Sequence, residues 1–503
     1  MKILKFLSNR IVVSIILICV QILWLALFMR YIFTDATLLK GVFIFLSVIV
    51  TLYIINNDDD DPSYKIIWLI PISSFPVFGG LLYVVFGNKK PAKKLQEAFA
   101  NQEEAIRPFI YPNKMVEQIE DLIAKGQANY LVQENFPIYN NSEIKYYPLG
   151  DDTYPDLLKE LAKAKHFIFL EYFIIEPGIF LNSIIDILEQ KVKDGVDVRL
   201  IYDDFGSLPT FSQKNVYQLK TRGIKCISFN PLFFIKGTLN NRDHRKILII
   251  DGNVAFSGGI NLADEYINKK KKYGHWKDIG FKLTGTPVKS YNYMFIEFWN
   301  AFSNEKIDSN IINECLSERK NENGYIISYY DSPAYKEHIS NNLYIDLLSQ
   351  AINYAWFYTP YLIIGDFLMD ALIKAAERGV DVRIFIPGIP DKKIVYRLSK
   401  SYYAPLLKAG IKIFEYIPGF IHAKACLIDD NIGTIGTVNL DYRSLFLHFE
   451  CNSLFYKSSI LDELKIDMIE TQKKCKEVKE KDIKKGYFHR VFDAILRIFA
   501  PLC

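Results

Sequence analysis

Three apolar runs occupy the first 90 residues and set this region apart from the rest of the chain. The first run, residues 11–29, holds only two polar positions among 19. At a rise of about 1.5 Å per residue, a helix of that length comes close to crossing a hydrocarbon core of roughly 30 Å. Residues 41–55 and 66–86 form the second and third runs. The pattern predicts an N-terminal membrane domain over residues 1–90 with two to three transmembrane helices, and therefore a multi-pass membrane protein.

Basic residues flank this apolar region on both sides. Lys2, Lys5 and Arg10 precede it, and four lysines lie between residues 89 and 94. Because basic flanks favour the cytoplasmic side, both ends are expected there, which three full crossings cannot satisfy. Either one run is re-entrant or interfacial, or the rule is broken at one end. A cleavable signal peptide is disfavoured, since the first run exceeds its usual apolar length and no small-residue cleavage site follows.

From about residue 91, short β-branched and aromatic runs alternate with helical patterns, which is typical of an α/β protein. The sequence Gly-Val-Asp-Val-Arg occurs twice, at 195–199 and at 379–383, and a Gly-Ile-Lys triplet follows each copy. The repeat predicts two copies of one α/β unit, although the helix-loop-strand order of any α/β fold is the simpler alternative. The predicted divisions are a linker over 91–130, domains over 131–320 and 321–485, and a C-terminal amphipathic helix over 486–503.

Both halves carry the same polar residues at the same spacing. From His to Asn the distance is 17 residues in each half, and the two copies are 178 residues apart. The first set is His244, Lys246, Asp251 and Asn261, and the second is His422, Lys424, Asp429 and Asn439.

Strand geometry suggests what this spacing is for. Side chains two residues apart share one face of a β-strand, so each His lies beside its Lys, and each Asn would return on the neighbouring strand. Docking the halves about a pseudo-twofold axis would bring two imidazoles, two ammonium groups and two amides together. One imidazole would attack phosphorus, the other would protonate the leaving oxygen, and the lysines and asparagines would bind the phosphate oxygens. Metal ligation is the competing interpretation, but a lysine beside each His repels a cation, so no metal or other cofactor is expected.

Charge and cysteine content exclude further classes. The 503-residue chain has 61 Lys and Arg against 57 Asp and Glu, a net charge of +4. That balance is too even to indicate a protein that coats nucleic acid, so no nucleic-acid partner is expected. The seven cysteines include no Cys-x-x-Cys pair, which argues against a disulfide framework and a zinc cluster.

The C-terminus combines basic and apolar residues. Residues 473–490 hold eight Lys or Arg and three acidic residues, and an apolar pattern follows. This favours a basic helix lying on anionic lipid. A helix docked on the domain is the alternative.

The paired His-x-Lys-x4-Asp motifs resemble those of the phospholipase D superfamily, over about residues 130–503. Residues 76–90, 359–361 and 439–444 are similar to bacterial cardiolipin synthases, as is the stretch 449–452. The resemblance implies an α/β fold with two pseudo-twofold-related phospholipase D-like sandwich units. They would follow an α-helical transmembrane region in a bacterial cell membrane.

The resemblance also implies an activity. Such a protein would transfer a phosphatidyl group between two phosphatidylglycerol molecules, giving cardiolipin and glycerol through a phosphohistidine intermediate. Phosphatidylglycerol and anionic membrane lipid are then the expected partners, with the oligomeric state left open. The resemblance favours His244 as the nucleophile and His422 as the acid. A membrane-bound phospholipase D, another phosphatidyltransferase or, less readily, a nuclease would share the same residues, whereas a noncatalytic scaffold would be expected to have lost a His or a Lys.

Members of the superfamily place a carboxylate behind each catalytic His, and the matching positions here are Asp278 and Glu450. A surface salt bridge is the alternative role for either residue. Asp251 and Asp429 belong to the catalytic motif by spacing, but their position at strand ends indicates turn and interface bonding more than catalysis.

One position departs from the superfamily pattern. Gly259 stands where Ser is common, whereas the second half has Thr437. This difference is expected to cost the first half a hydroxyl near the phosphate.

Overall fold

The computed structural model describes residues 23, 37–57, 62–75, 78–80, 82–83, 87, 93–106, 114–140, 142–231, 240–313, 324–483 and 486–502. The first apolar run lies outside these residues except for Leu23. The chain forms two compact units, one made of Met1–Asn88 and Leu232–Gly237 and the other of Lys89–Pro231 and Thr238–Cys503.

The first unit contains the helices Thr37–Ile55 and Pro62–Ser74, which coincide with the second apolar run and the start of the third. The Tyr64 hydroxyl donates to the Gly87 carbonyl at 2.9 Å, and Trp68 meets the ring of Tyr83 edge-on. Judged over the residues that the structure describes, no helix combines the length and apolar character needed to cross a membrane. The multi-pass arrangement therefore stays a prediction.

The second unit contains two large mixed sheets, whose strands are numbered along the chain. The first sheet has the order β2-β9-β7-β6-β3-β4-β5. Its strands β3, β4 and β5 are parallel, and the remaining neighbours pair antiparallel. The bounds are β2 Ser142–Tyr147, β3 Phe167–Tyr172, β4 Asp197–Asp203, β5 Lys225–Phe229, β6 Lys246–Ile250, β7 Val254–Gly258 and β9 Gly280–Gly285.

The second sheet repeats this arrangement and adds one strand at each edge, in the order β1-β10-β19-β17-β16-β11-β13-β14-β20. Two small parallel pairs, β8 with β15 and β12 with β18, lie outside the large sheets. The predicted pair of repeated α/β units is therefore confirmed. The bounds are β1 Ile138–Tyr139, β8 His275–Lys277, β10 Tyr325–Asp331, β11 Tyr354–Tyr358, β12 Leu362–Ile363, β13 Asp381–Pro387, β14 Lys412–Tyr416, β15 Gly419–Ile421, β16 Ala425–Ile428, β17 Ile432–Gly436, β18 Leu440–Asp441, β19 Glu450–Tyr456 and β20 Cys475–Glu477.

Helices connect the strands and bury one apolar side each. The helix Ile179–Lys193, for example, buries Phe180, Leu181, Ile184 and Leu188, which follow the helical period. In the described part of this unit the helices are Lys93–Ile106, Leu122–Gln133, Gly150–Leu161, Ile179–Lys193, Gln213–Thr221, Val288–Phe302, Ile339–Gln350, Asp366–Glu377, Lys393–Ser401, Tyr403–Lys408, Tyr442–Phe446, Ile460–Gln472 and Tyr487–Ile498.

One continuous apolar core joins the two halves. The helix Val288–Phe302 is buried along most of its length and contacts strands of both sheets. Within it, Phe295 stacks on Phe169 of the first half at 4.6 Å, and Phe298 meets Phe449 of the second half at 4.9 Å. The halves thus fold around shared side chains, which fixes the two motif strands relative to each other.

In its described part, the segment predicted as a linker, residues 91–130, is mostly helical. Its described residues include the helix Lys93–Ile106 and most of Leu122–Gln133. Phe99 is 1% exposed and packs on Phe298 and Phe449, so this segment belongs to the core. The predicted boundary near residue 320 falls outside the described residues.

Candidate active site

Each motif lies at the start of a buried β-hairpin. Strands β6 and β16 carry the apolar runs that follow Lys246 and Lys424, and all their residues are buried. Tight turns then lead into β7 and β17, with Asp251 at φ +50° and Asp429 at φ +49°. Aspartate tolerates this left-handed backbone better than most residues, which explains its place in both turns.

The side chains of Asp251 and Asp429 are occupied by backbone donors. Asp251 accepts the N–H groups of residues 165, 166 and 167 at 2.7–2.9 Å. Asp429 accepts those of residues 352, 353 and 354 at 2.7–2.8 Å. Each carboxylate thereby ties its turn to the neighbouring strand. These contacts give both carboxylates a structural role at the turn.

The catalytic segments cross from one half to the other. The N–H of His244 donates to the Phe449 carbonyl at 2.9 Å, and the N–H of Phe449 donates to the Arg242 carbonyl at 2.8 Å. The N–H of His422 donates to the Lys277 carbonyl at 2.7 Å, continuing the pairing of β15 with β8. Each motif histidine is therefore held by backbone of the opposite half.

The two predicted carboxylates also contact the histidine of the opposite half. His244 Nδ1 lies 2.9 Å from both carboxylate oxygens of Glu450, and His422 Nδ1 lies 2.7 Å from Asp278 Oδ2. Both imidazoles are 7% exposed and both carboxylates are 0% exposed. A carboxylate on Nδ1 sets the tautomer that leaves Nε2 for chemistry. Each half supplies the orienting carboxylate for the other half's histidine.

The two pairs differ in their electrostatics. Burial, followed by Lys246, holds the pKa of His244 well below its usual range, and burial raises the pKa of Glu450 well above its own. Burial also lowers the pKa of His422 to about 4. Burial would raise the pKa of Asp278, but His422 and Lys424 outweigh it and lower that pKa. His422 therefore faces an ionised carboxylate, while His244 faces a carboxyl group that burial tends to keep neutral.

Gly259 and Thr437 mark a second difference between the two pairs. The Thr437 hydroxyl donates to Glu450 Oε2 at 2.5 Å and to the Cys451 carbonyl at 3.1 Å. At Gly259 a Cβ atom would lie only 2.0 Å from Asp278 Oδ1, so Asp278 occupies the space of a side chain there. The expectation of a hydroxyl facing the phosphate is corrected, because in the second half that hydroxyl lies on the orienting carboxylate.

The two motif lysines lie deep in the site. Each is 1% exposed and donates from Nζ to the backbone carbonyl of its own motif histidine. Burial lowers the pKa of Lys246 to about 8 and that of Lys424 to about 7. A phosphodiester anion beside them would favour their charged forms.

The motif asparagines already contact protein groups. Asn261 accepts the Ile174 N–H at 3.0 Å and donates to the Tyr266 hydroxyl at 2.8 Å. Tyr266 in turn meets the His422 ring edge-on at 5.3 Å. Asn439 donates to Asp441 at 3.0 Å. In these contacts the asparagines position neighbouring groups, and their predicted binding of phosphate stays a prediction.

Several site residues escaped the sequence analysis. Phe173 meets the His244 ring at 4.9 Å, and Trp276 lies 5.6 Å from the His422 ring. His448 lies 5.8 Å from the His244 ring. Two of them share a sequence signal, because Trp276 and His448 each precede one of the two carboxylates by two residues.

One group of side chains in the described part of the chain has the spacing of a metal site. Ligand atoms of His244, His448 and Glu450 all lie within 4.8 Å of one another. Glu450 already accepts hydrogen bonds from two side chains, and the Lys246 ammonium is adjacent in the site. These contacts favour an anion over a cation at this place.

The fold and the site define a class of protein: an α/β protein of two repeated units whose paired imidazoles, carboxylates and lysines suit the transfer of a phosphate ester. A family model described as "Cardiolipin synthase, PLD-like domain" matches residues 157–274 and 344–470. A second, for the phospholipase D-nuclease N-terminal region, matches residues 45–88. The chain belongs to the cardiolipin synthase family of the phospholipase D superfamily.

Individual proteins are similar to this chain over most of its length. A cardiolipin synthase of Alkalihalophilus pseudofirmus is 34% identical, over 91% of this chain and 92% of its own. One of Halalkalibacterium halodurans is 32% identical, over 92% and 93%. An uncharacterized protein of Streptococcus mutans is 40% identical over 90% and 99%. The crystal structure of phosphatidylserine synthase from Haemophilus influenzae shares the fold, with a TM-score of 0.57 and 14% identity over 75% of this chain and 98% of that one.

Proposed function

We propose that this protein is a cardiolipin synthase that joins two phosphatidylglycerol molecules and releases glycerol. The observation that carries the proposal is the exchanged pairing of His244 with Glu450 and of His422 with Asp278 at one buried site. Cardiolipin synthases at 32–34% identity over nearly the whole chain support the choice of substrate.

In the first step, Nε2 of His244 attacks the phosphorus of one phosphatidylglycerol. The phosphorus–oxygen bond to the headgroup glycerol breaks, and the Nε2 proton of His422 passes to the departing oxygen. Burial lowers the pKa of both imidazoles, but the ionised Asp278 favours the positive charge that His422 takes up on protonation, whereas burial works against a negative charge on Glu450 behind His244. This difference between the pairs supports His244 as the nucleophile.

In the second step, His422 removes the proton from the primary hydroxyl of another phosphatidylglycerol. That oxygen attacks phosphorus, the phosphorus–nitrogen bond breaks, and cardiolipin leaves with both histidines restored. Lys246 and Lys424 bind the non-bridging oxygens in both steps. Burial of both imidazoles limits the entry of water, which would otherwise give phosphatidic acid.

The site works on membrane lipids, so we infer that the enzyme is held in the membrane by its N-terminal region. The support is the set of three apolar runs and the match of residues 45–88 to an N-terminal family model. Anionic phosphatidylglycerol would also attract the lysine-rich stretch 473–490.

The C-terminal helix Tyr487–Ile498 offers a second lipid contact. Arg397 lies over the Phe492 ring at 4.1 Å and pairs with Asp493 at 3.3 Å, so the helix docks on the domain. Nevertheless Ile495 and Phe499 are 48% and 49% exposed. Both predicted roles of this segment, docking and lipid contact, are therefore compatible.

Replacing Ile495 and Phe499 with serine is expected to lower activity on phosphatidylglycerol bilayers about tenfold, because apolar area is lost from the lipid-facing side. Activity on detergent-dispersed substrate should change less than twofold. Ile179→Ser, at a residue 54% exposed in the first half, is the control. Equal losses in both assays would assign the two residues to the packing of the domain.

The function itself is tested by incubating the purified protein with radiolabelled phosphatidylglycerol and separating the lipid products. We expect cardiolipin and glycerol in equal amounts, with little phosphatidic acid. Because the lysines supply the positive charge, EDTA should leave the rate within about twofold. Phosphatidic acid as the main product would indicate a phospholipase D, and complete loss in EDTA restored by stoichiometric zinc would contradict the metal-free mechanism.

A further inference from the structure

His448 is a third imidazole in the site for which the mechanism has no use. Its two ring nitrogens lack a hydrogen-bond partner among the described residues, although the residue is only 9% exposed. The carboxylate of Glu450 is the nearest acidic group, but its Oε1 is 3.8 Å from Nδ1. A buried polar group without a partner costs free energy, so such a group usually has a ligand or a functional role.

The surroundings of His448 are strongly positive. Burial, and after it the charges of Arg443, Arg242, Lys246 and Lys392, hold the pKa of His448 well below its usual range. Arg443 lies in the preceding short helix, Tyr442–Phe446, and its backbone carbonyl accepts the N–H of His448 at 2.9 Å. A neutral imidazole donor in such a field is suited to an anion.

We propose that His448, with the guanidinium of Arg443, binds the phosphodiester of the second lipid, the acceptor phosphatidylglycerol. This inference rests on the proposed function and adds the place of the acceptor headgroup. The neutral imidazole donates one N–H to a phosphate oxygen, and the guanidinium balances the negative charge.

The position of His448 fits the geometry of the reaction. The attacking hydroxyl of the acceptor must meet the phosphorus carried on His244, and the glycerol backbone separates that hydroxyl from the acceptor's own phosphate. The ring centres of His244 and His448 are 5.8 Å apart, which is on the scale of such a glycerol unit. Holding the acceptor phosphate at His448 therefore presents its free hydroxyl to His244 in place of water.

The test compares two acceptors. In the first assay phosphatidylglycerol is both donor and acceptor, and cardiolipin is measured. In the second, radiolabelled glycerol exchanges into phosphatidylglycerol, a reaction whose acceptor has no phosphate. His448→Leu should lower cardiolipin formation at least tenfold and raise the ratio of phosphatidic acid to cardiolipin, while glycerol exchange stays within about twofold. His448→Asn, which keeps an N–H donor, should restore part of the cardiolipin activity.

His338→Leu is the matched control, because His338 is another histidine that packs on the short helix Tyr442–Phe446, with its ring 4.8 Å from that of Phe446. Equal loss of both reactions in His448→Leu would overturn the proposal and give His448 a structural or general catalytic role. Loss of both reactions in EDTA, restored by a divalent metal, would overturn it in favour of a metal ligand. If the wild-type protein makes no cardiolipin, both the proposed function and the acceptor site are refuted. If the wild-type protein makes cardiolipin and His448→Leu makes it equally well, the acceptor site alone is refuted.

Discussion

His244→Ala should reduce cardiolipin synthesis by about 10⁴-fold or more, because it removes the atom that carries the phosphatidyl group. His422→Ala should be similarly slow with phosphatidylglycerol, whose glycerol needs a proton to leave. The two variants can be distinguished with a phosphatidyl ester of p-nitrophenol, because nitrophenolate leaves without being protonated by an acid. On that substrate His422→Ala should release one equivalent of nitrophenol and accumulate a lipid-linked enzyme, and His244→Ala should do neither.

The measurement is quenching in a mildly alkaline denaturant, which preserves the acid-labile phosphorus–nitrogen bond, followed by mass analysis of the protein. His275→Ala serves as control, since His275 contacts Tyr416 at 3.0 Å outside the two catalytic pairs. An adduct that forms in His244→Ala and is missing from His422→Ala would mean that His422 is the nucleophile and His244 the acid.

Replacing an orienting carboxylate should have the second largest effect. Asp278→Ala and Glu450→Ala should each lower turnover by about 10²–10⁴-fold, because each imidazole loses the group that fixes its tautomer, and His422 also loses a counter-charge. The shape-preserving variants are expected to differ. Asp278→Asn should cost more than Glu450→Gln, since Asp278 has a lowered pKa and acts as an anion, while burial raises the pKa of Glu450. Turnover in detergent micelles and the thermal unfolding midpoint are measured together.

Asp467→Asn is the matched control for these variants. Asp467 pairs with Lys277 at 2.7 Å and so also joins the halves, but without touching an imidazole. A loss of turnover in Asp467→Asn as large as that in Asp278→Asn would mean that docking of the halves, and not orientation of His422, limits the reaction. Near-normal turnover of both carboxylate variants would mean that other groups orient the histidines.

The repeated motif was accessible to sequence reasoning because it is local. Lys246 and the apolar run after it form one strand, with His244 two residues before it. The copy at His422 has the same spacing, so two equal units could be predicted without any contact information. The turn at Asp251 was also readable from its Asp-Gly-Asn sequence.

What could not be predicted is non-local. Glu450 contacts His244 across 206 residues, and no periodic pattern encodes which carboxylate serves which histidine. The role of Phe99 escaped for a different reason: its helix has a polar sequence, and burial of one aromatic residue is decided by Phe298 and Phe449 from elsewhere in the chain. His448 was overlooked because a lone histidine carries little information until its neighbours are known.

The exchange of carboxylates between the halves also bears on synthesis at the ribosome. A growing chain presents His244 long before residue 450 has been made, so its imidazole lacks a carboxylate during that interval. At about 5–20 residues per second, the 206 intervening residues take roughly 10–40 s to translate. Under the proposed mechanism, a first half that lacks this carboxylate cannot transfer a phosphatidyl group. Under the same mechanism, lipid chemistry would begin only in molecules whose second half is complete.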